Sequence, residues 1–294
     1  MEIIAQHTVI ELDQPRRLSD YGIGLFEIFP SRKQWKKAIV ADRVLVDGQM
    51  GQTATWVNSG MTIEILAPRE DTGKVYETKL NIIFEDHHLA IIQKPAGVPV
   101  SGNQFRTIAN MLPFNLSTSD LEDALIRPQA VHRLDAATTG LLMVAKTASA
   151  QLKLGHLFAE RQITKYYQAL ASGETPKEGI IDTPIDGKQA FTSYKKIQST
   201  PSLKNGKLSL LAVEIKTGRT HQIRKHLAQL GFPIIGDTQY GIPGKIYKGK
   251  GLFLAATHLS FIHPFTQKAM AFDIPPPNKF ALFVERERRM WAKR

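Results

Sequence analysis

One carboxylate stands in unusual company in the stretch VHRLDAATTGLLMVAKTASA, residues 131–150. Asp135 lies beside His132 and Arg133 and is followed by small residues and hydroxyls. An aspartate so placed is either a structural acid, capping a turn or paired with Arg133, or an ionised group that attacks an electrophile or takes a proton. The run Leu141–Ala145 directly after it is apolar and reads as a buried strand, which sets Asp135 in the loop before that strand, where rigid elements commonly hold catalytic groups.

Other chemistries are closed off. The chain has no cysteine, so disulfides, thiolate nucleophiles, iron–sulfur clusters and Cys-ligated zinc are excluded. His87 and His88 are adjacent, and adjacent side chains alternate across a strand rather than converging on one ion. With no HExxH pattern present, they read as turn residues and no metal is expected.

The elements that must position Asp135 follow from the pattern along the chain. In FPSRKQWKKAIVADRVLVDGQ, Ser31 is a plausible N-cap and Trp35, Ala38 and Ile39 share one helical face, with Arg32, Lys33, Lys36 and Lys37 elsewhere. Val44–Val46 reads as a strand, Asp47-Gly48 as a hairpin turn and MTIEIL as a further strand. These features define a small α/β unit over residues 13–66. The polar stretch that follows reads as a linker, residues 67–80, and a larger unit occupies 81–294. It opens with strands at Ile82–Phe84 and Leu89–Ile92 and closes with a basic helix, ALFVERERRMWAKR.

The 294 residues carry 38 Lys and Arg against 27 Asp and Glu, a formal charge of +11. An excess of this size attracts polyanions and makes nucleic acid the leading partner. The N-terminus lacks a basic stretch followed by an apolar run, and no 18-residue apolar segment occurs, so a cytoplasmic protein with no membrane contact is expected. A monomer is expected as well.

The motif HRLDAATTGLL resembles the signature of the RluA-type RNA pseudouridine synthases, His-Arg-Leu-Asp-x-x-Thr-Ser-Gly-Leu-Leu, with Thr139 replacing Ser. EDHHLAIIQKPAGVPV, KYYQAL, TGRTHQIRKHLAQLGFPIIGDTQYG and HLSFIHP resemble further family segments in the same order, over roughly Ile82 to Pro277. Two more departures occur. Gln93 replaces a common Asn, and Leu254-Ala255-Ala256 replaces Leu-His-Ala at a position expected to be peripheral to the chemistry. The small unit resembles an αL-type RNA-binding domain, in which the helix after Ser-Arg and the following turn contact phosphates. That resemblance implies RNA contacts by Arg32, Lys33, Lys36, Lys37 and Arg43.

The family resemblance implies cofactor-free conversion of uridine in RNA to pseudouridine. Asp135 would be the ionised carboxylate, attacking C1′ or abstracting the C2′ proton, with both routes open. It implies Arg219 as the guanidinium partner of Asp135, worth about 4 kcal/mol at 4 Å and an effective dielectric near 20. It also implies Tyr167, not Tyr166, as the ring that stacks on uracil and as a base for the C5 proton, with Ile223 packed nearby. Arg133 would take the place of the extruded nucleotide, and His132 would orient or pack the site. The implied fold is α+β: a mostly antiparallel, bent sheet with a central cleft, preceded by the small RNA-binding domain. Large-subunit ribosomal RNA is the favoured target, with transfer RNA also open. A non-catalytic RNA-binding or ribosome-assembly factor would account for the charge but gives no reason to keep Asp135, Tyr167 and Arg219 together.

Overall fold

The structure, a computed structural model, describes residues 2–67, 73–247 and 249–294. It divides into two units, Met1–Thr72 and Gly73–Arg294.

The first unit contains β1 (Ile3–Thr8), β2 (Arg16–Arg17), α1 (Leu18–Tyr21), α2 (Arg32–Val40), β3 (Val44–Val46), β4 (Gln49–Met50), β5 (Trp56–Val57) and β6 (Thr62–Leu66). Ser31 caps α2 by accepting a hydrogen bond from the Gln34 amide at 3.3 Å, and Trp35, Ala38 and Ile39 are all buried. Trp35 anchors the unit: its indole N–H donates to the Leu18 carbonyl at 2.7 Å, and its ring lies so close to Gly22 that a Cβ there would approach it to 2.1 Å. Asp47 and Gly48 both have positive φ, as a tight β3–β4 hairpin requires. The four-stranded sheet runs β1-β6-β3-β4. The unit therefore begins before residue 13, because β1 pairs antiparallel with β6. β1 is an edge strand with no fully buried side chain, and its sequence, IIAQHT, lacks the apolar–polar alternation that would have marked it.

Of the expected linker, residues 68–72 lie outside the described residues. Residues 73–80 form neither helix nor strand, yet they are bonded to the second unit: the Tyr76 amide donates to the Asn110 carbonyl, the Leu80 amide to Asn115 Oδ1, and Arg127 to the Lys74 carbonyl. These bonds run through the backbone of residues 74, 76 and 80, so the segment is held rather than a free tether.

The second unit contains β7 (Asn81–Glu85), β8 (Leu89–Lys94), α3 (Ile108–Asn115), β9 (Ala124–Ala130), β10 (Thr139–Thr147), α4 (Ala148–Ala159), β11 (Thr164–Ser172), β12 (Glu178–Ile181), β13 (Thr192–Ser202), β14 (Gly206–Ile215), α5 (Gln222–Gln229), β15 (Leu254–Ile262), β16 (Ala269–Asp273) and α6 (Lys279–Ala292). Its sheet runs β12-β13-β14-β11-β15-β10-β8-β7, with β9 also on β10 and β16 also on β15. β10 and β15 run parallel, and the other pairings are antiparallel. β8 and β10 send alternate residues into two cores. Ala90, Ile92, Leu142 and Val144 join one core; Leu89, Ile91, Leu141 and Met143 join the other with α4. A strand buried on both faces needs the continuous apolar run that the sequence carries.

The parallel seam pairs Thr139 with Ala255 and Gly140 with Ala256. Gly140 has φ +121, and a Cβ on it would come within 2.1 Å of the Ala256 carbonyl oxygen, so only glycine permits this approach. α6 packs through Phe280, Phe283 and Val284, and its buried Glu287 accepts a hydrogen bond from Ser202 at 2.6 Å.

Candidate active site

A cavity of about 520 Å³ opens in the second unit, and Asp135 is in its wall with Arg133, Tyr167, Arg219, His221, Ile223 and Arg224. Leu254 also lines it, so the Leu254-Ala255-Ala256 segment is not peripheral as expected: it forms part of the wall and the seam beside the Asp135 loop.

The loop that carries Asp135 is fastened by the Lys-Pro-Ala-Gly turn after β8. Lys94 is fully buried, and its ammonium donates to the carbonyls of Pro95, Val98 and Ala136 at 2.8, 2.7 and 3.1 Å. Burial pulls its pKa down to about 8, while the charge of Asp135 acts in the opposite direction. The Gly97 amide donates to the Ala136 carbonyl at 2.7 Å, and the Thr139 hydroxyl donates to the Lys94 carbonyl at 2.7 Å. Thr139 thus keeps a hydroxyl bond that locks the start of β10 to the end of β8.

The guanidinium on Asp135 belongs to Arg224, not to Arg219. Arg224 donates to Asp135 Oδ2 at 3.2 Å and holds Asp237 in a bidentate pair, Nε to Oδ2 at 2.7 Å and Nη2 to Oδ1 at 3.0 Å. Arg219 precedes α5 and its Nε donates to the Gln189 carbonyl at 2.9 Å, so it lines the cavity without pairing with Asp135. The physical reason is the geometry of the turn. His221 adopts φ +57 immediately ahead of α5, and Arg224, three residues on, projects from the first helical turn toward Asp135. Burial opposes the charge of Arg224, but Asp237 and then Asp135 outweigh it and raise its pKa. Asp237 is buried; burial alone would raise its pKa, yet the bonds from Arg224 and from the Tyr240 and Gln239 amides lower it.

Tyr167 is buried on the cavity wall, whereas Tyr166 on the opposite strand face is 39% exposed and packs against the His258 ring. Strand alternation thus places the tyrosines as the register required. Burial, and then the charge of Asp135, push the Tyr167 phenol above its ordinary pKa, so its resting form is the neutral phenol. That form suits stacking and hydrogen-bond donation; proton abstraction would have to work against the surroundings. Ile223 is buried beside it in the cavity wall.

His132 accepts a hydrogen bond from the Met143 amide through Nε2 at 3.0 Å and packs on Phe158, with ring centres 4.7 Å apart. Burial, then the Lys165 charge, lower its pKa to about 3, so it is a neutral packing residue. Arg133 is exposed at the cavity rim. In the first unit Lys33, Lys36 and Lys37 are exposed, Arg32 pairs with Asp20, and the half-buried Arg43 donates to the Leu66 carbonyl and lies over Phe29. Arg43 is therefore spent on its own unit more than on a surface contact. Sequence reasoning missed Arg224, Asp237, His221 and Lys94 as site residues. The signal available was the spacing of His221 and Arg224 at the start of a helix, which puts residues three apart on one face.

A carboxylate bonded to a buried arginine thus shares the wall of one cavity with a buried tyrosine, an arrangement that can hold an aromatic ring near an ionised oxygen. The family model described as RNA pseudouridylate synthase matches residues 88–229. The ribosomal large subunit pseudouridine synthase D of Zymomonas mobilis is 35% identical over 76% of this chain and 78% of its own length. The protein of the same name from Vibrio cholerae is 32% identical over 94% of this chain and 93% of its own. The chain belongs to the RNA pseudouridine synthase family and is an isomerase. A solved human structure, RNA pseudouridylate synthase domain containing 1, shares the fold with a TM-score of 0.57 at 23% identity, over 70% of this chain and 86% of that one.

Proposed function

We propose that this enzyme isomerises uridines of large-subunit ribosomal RNA to pseudouridine and that Asp135 is the reacting carboxylate. The observation that carries the assignment is the Asp135–Arg224–Asp237 arrangement in the cavity wall, in which Arg224 bonds one oxygen of Asp135, Oδ2, while holding Asp237. In the reaction the N1–C1′ bond breaks, the detached uracil turns, C5 bonds to C1′, and the C5 proton leaves as N1 gains one. Tyr167 stacks on the uracil, Arg219 meets flanking phosphates, and Arg133 takes the place of the extruded nucleotide in the stem. Lys33, Lys36 and Lys37 on α2 attract RNA phosphates to the first unit. The ribosomal target is supported by the names of the relatives from Zymomonas mobilis and Vibrio cholerae.

The test is to map pseudouridines in ribosomal and transfer RNA from cells with and without the gene, then to repeat it with Asp135→Asn. Loss of specific large-subunit positions, unrestored by Asp135→Asn, is expected. In vitro, Asp135→Asn is expected to slow tritium release from 5-labelled uridine RNA by on the order of 10⁴-fold or more while RNA affinity stays within a few-fold. Turnover by this variant at the wild-type rate would remove Asp135 from the chemistry.

A further inference from the structure

The two oxygens of Asp135 have different neighbours. Oδ2 accepts from Arg224 at 3.2 Å, whereas Oδ1 faces His221 Nε2 at 3.7 Å, beyond hydrogen-bonding distance. Helix capping does not account for His221. It precedes α5 without making a side-chain cap bond, and it holds φ +57, a left-handed conformation unfavourable for a residue with a Cβ. Strain of this kind in a cavity wall points to a functional constraint.

The ring is nevertheless fixed. Its Nδ1 lies 2.9 Å from the Tyr240 hydroxyl, and the GDTQY turn that supplies Tyr240 also supplies Asp237 to Arg224. A lone pair on Nε2 would confront the Asp135 carboxylate, so the favoured tautomer carries its proton on Nε2 and accepts the Tyr240 hydroxyl at Nδ1. Burial lowers the His221 pKa, with Asp135 opposing, which favours the neutral ring. The side chain is 25% exposed, toward the cavity. A directed N–H donor therefore stands beside the one Asp135 oxygen that Arg224 does not occupy.

We propose that His221 Nε2–H donates to the 2′-hydroxyl of the uridine held at Asp135, making that hydroxyl a determinant of substrate choice. The inference rests on the reading of Asp135 as the reacting carboxylate. Attack at C1′ and abstraction of the C2′ proton both bring the same edge of the ribose against Oδ1, and the 2′ oxygen is at most two bonds from the reacting carbon. A donor 3.7 Å from Oδ1 lies within reach of that oxygen. The 2′-hydroxyl is also the group by which a protein tells RNA from DNA.

The test uses a synthetic stem-loop RNA spanning a uridine mapped as above, and a twin with 2′-deoxyuridine at that position alone. Dissociation constants are measured for both with wild type, His221→Ala, His221→Gln and Tyr240→Phe. Wild type is expected to prefer the ribose form by about 3- to 10-fold, the worth of one uncharged hydrogen bond. His221→Ala is expected to abolish the preference by weakening the ribose form alone, and His221→Gln to restore part of it through its amide N–H. Tyr240→Phe, which keeps the ring but frees its tautomer, is expected to give an intermediate preference and serves if His221→Ala does not fold. An unchanged ribose-to-deoxyribose ratio in these variants, or equal weakening of both oligonucleotides, overturns the proposal. Turnover of the ribose form by Asp135→Asn separates the two failures. An inactive Asp135→Asn with an unchanged ratio removes only the role of His221, while an active one removes the reading beneath it.

Discussion

On α2, Lys33, Lys36 and Lys37 are exposed, on a helix whose other face is buried through Trp35, Ala38 and Ile39. On α5, Arg224 is nearly closed off from solvent between Asp237 and Asp135. Both helices are basic and amphipathic in sequence, but the charges act through different physics. An exposed ammonium about 4 Å from an anion gains on the order of 1 kcal/mol in water and is screened by salt, whereas a partly buried pair gains about four times as much and is screened little. Exposed cations therefore act by number and buried ones by position. The same substitution should be tolerated in one helix and ruinous in the other.

The largest contrast is expected between Arg224→Lys and Arg219→Lys. One ammonium cannot hold Asp237 in a bidentate pair and also reach Asp135, so Arg224→Lys leaves a buried carboxylate poorly compensated. A loss of about 3–5 kcal/mol in unfolding free energy is expected, together with loss of isomerisation. Arg219→Lys, with its one bond to the Gln189 carbonyl, should leave stability within about 0.5 kcal/mol. Urea unfolding of the two variants checks this; equal destabilisation would mean that the two arginines share the load.

Half-buried His132 extends the contrast to pH. Unfolded, an imidazole binds a proton near pH 6.5, and folded His132 does so only near pH 3. Between these values the unfolded state binds more protons, so the contribution to stability is complete above about pH 6.5 and is lost as pH falls toward 3. His132→Gln should flatten the fall of the urea midpoint between pH 7 and 4, by the equivalent of up to a few kcal/mol. Parallel midpoint curves for the two proteins would show that His132 is freely protonated in the native state.

The tyrosines give a smaller effect with a sharper boundary. Tyr167→Ala should weaken RNA binding by about 1–3 kcal/mol through lost stacking, and Tyr167→Phe should keep that affinity. Tyr166→Phe should behave as wild type, because Tyr166 lies on the outer strand face against His258. Binding isotherms for the three variants decide the register, and a loss at Tyr166 with none at Tyr167 would shift it by one residue.

What could be read from the sequence divides along the same line between local and distant determinants. The Ser31 cap, the Asp47-Gly48 turn, the buried strand after Asp135 and the opposite facing of Tyr166 and Tyr167 each depend on a few neighbouring residues, and the structure has them as read. Arg224 was missed because the local spacing marks only a shared helix face, while the choice of Arg224 depends on Asp237, thirteen residues away, and on the left-handed backbone at His221. Lys94 was missed because a lysine reads as surface, and here three carbonyls from two loops satisfy its ammonium in the interior. Residues 73–80 read as a tether because their partners, Asn110 and Asn115, lie in α3.

The smallest effect, and the one that tests the exposed half of the comparison, concerns salt. If Lys33, Lys36 and Lys37 each neutralise one phosphate, replacing all three by Gln should reduce the slope of log affinity against log salt by up to about 2.7 on duplex or about 2.1 on single-stranded RNA. Arg32 is paired with Asp20 and should add little when replaced. The converse change is more telling: Asp20→Asn releases Arg32 and should steepen the slope by up to about one contact, roughly 0.7 to 0.9, with stability altered by less than about 1 kcal/mol because both side chains are exposed. Affinity measured from low to high salt for wild type, the triple variant and Asp20→Asn gives three slopes whose order is fixed in advance. A triple variant as salt-sensitive as wild type would place the RNA surface away from α2, and an unchanged slope for Asp20→Asn would show that Arg32, even when free, meets no phosphate.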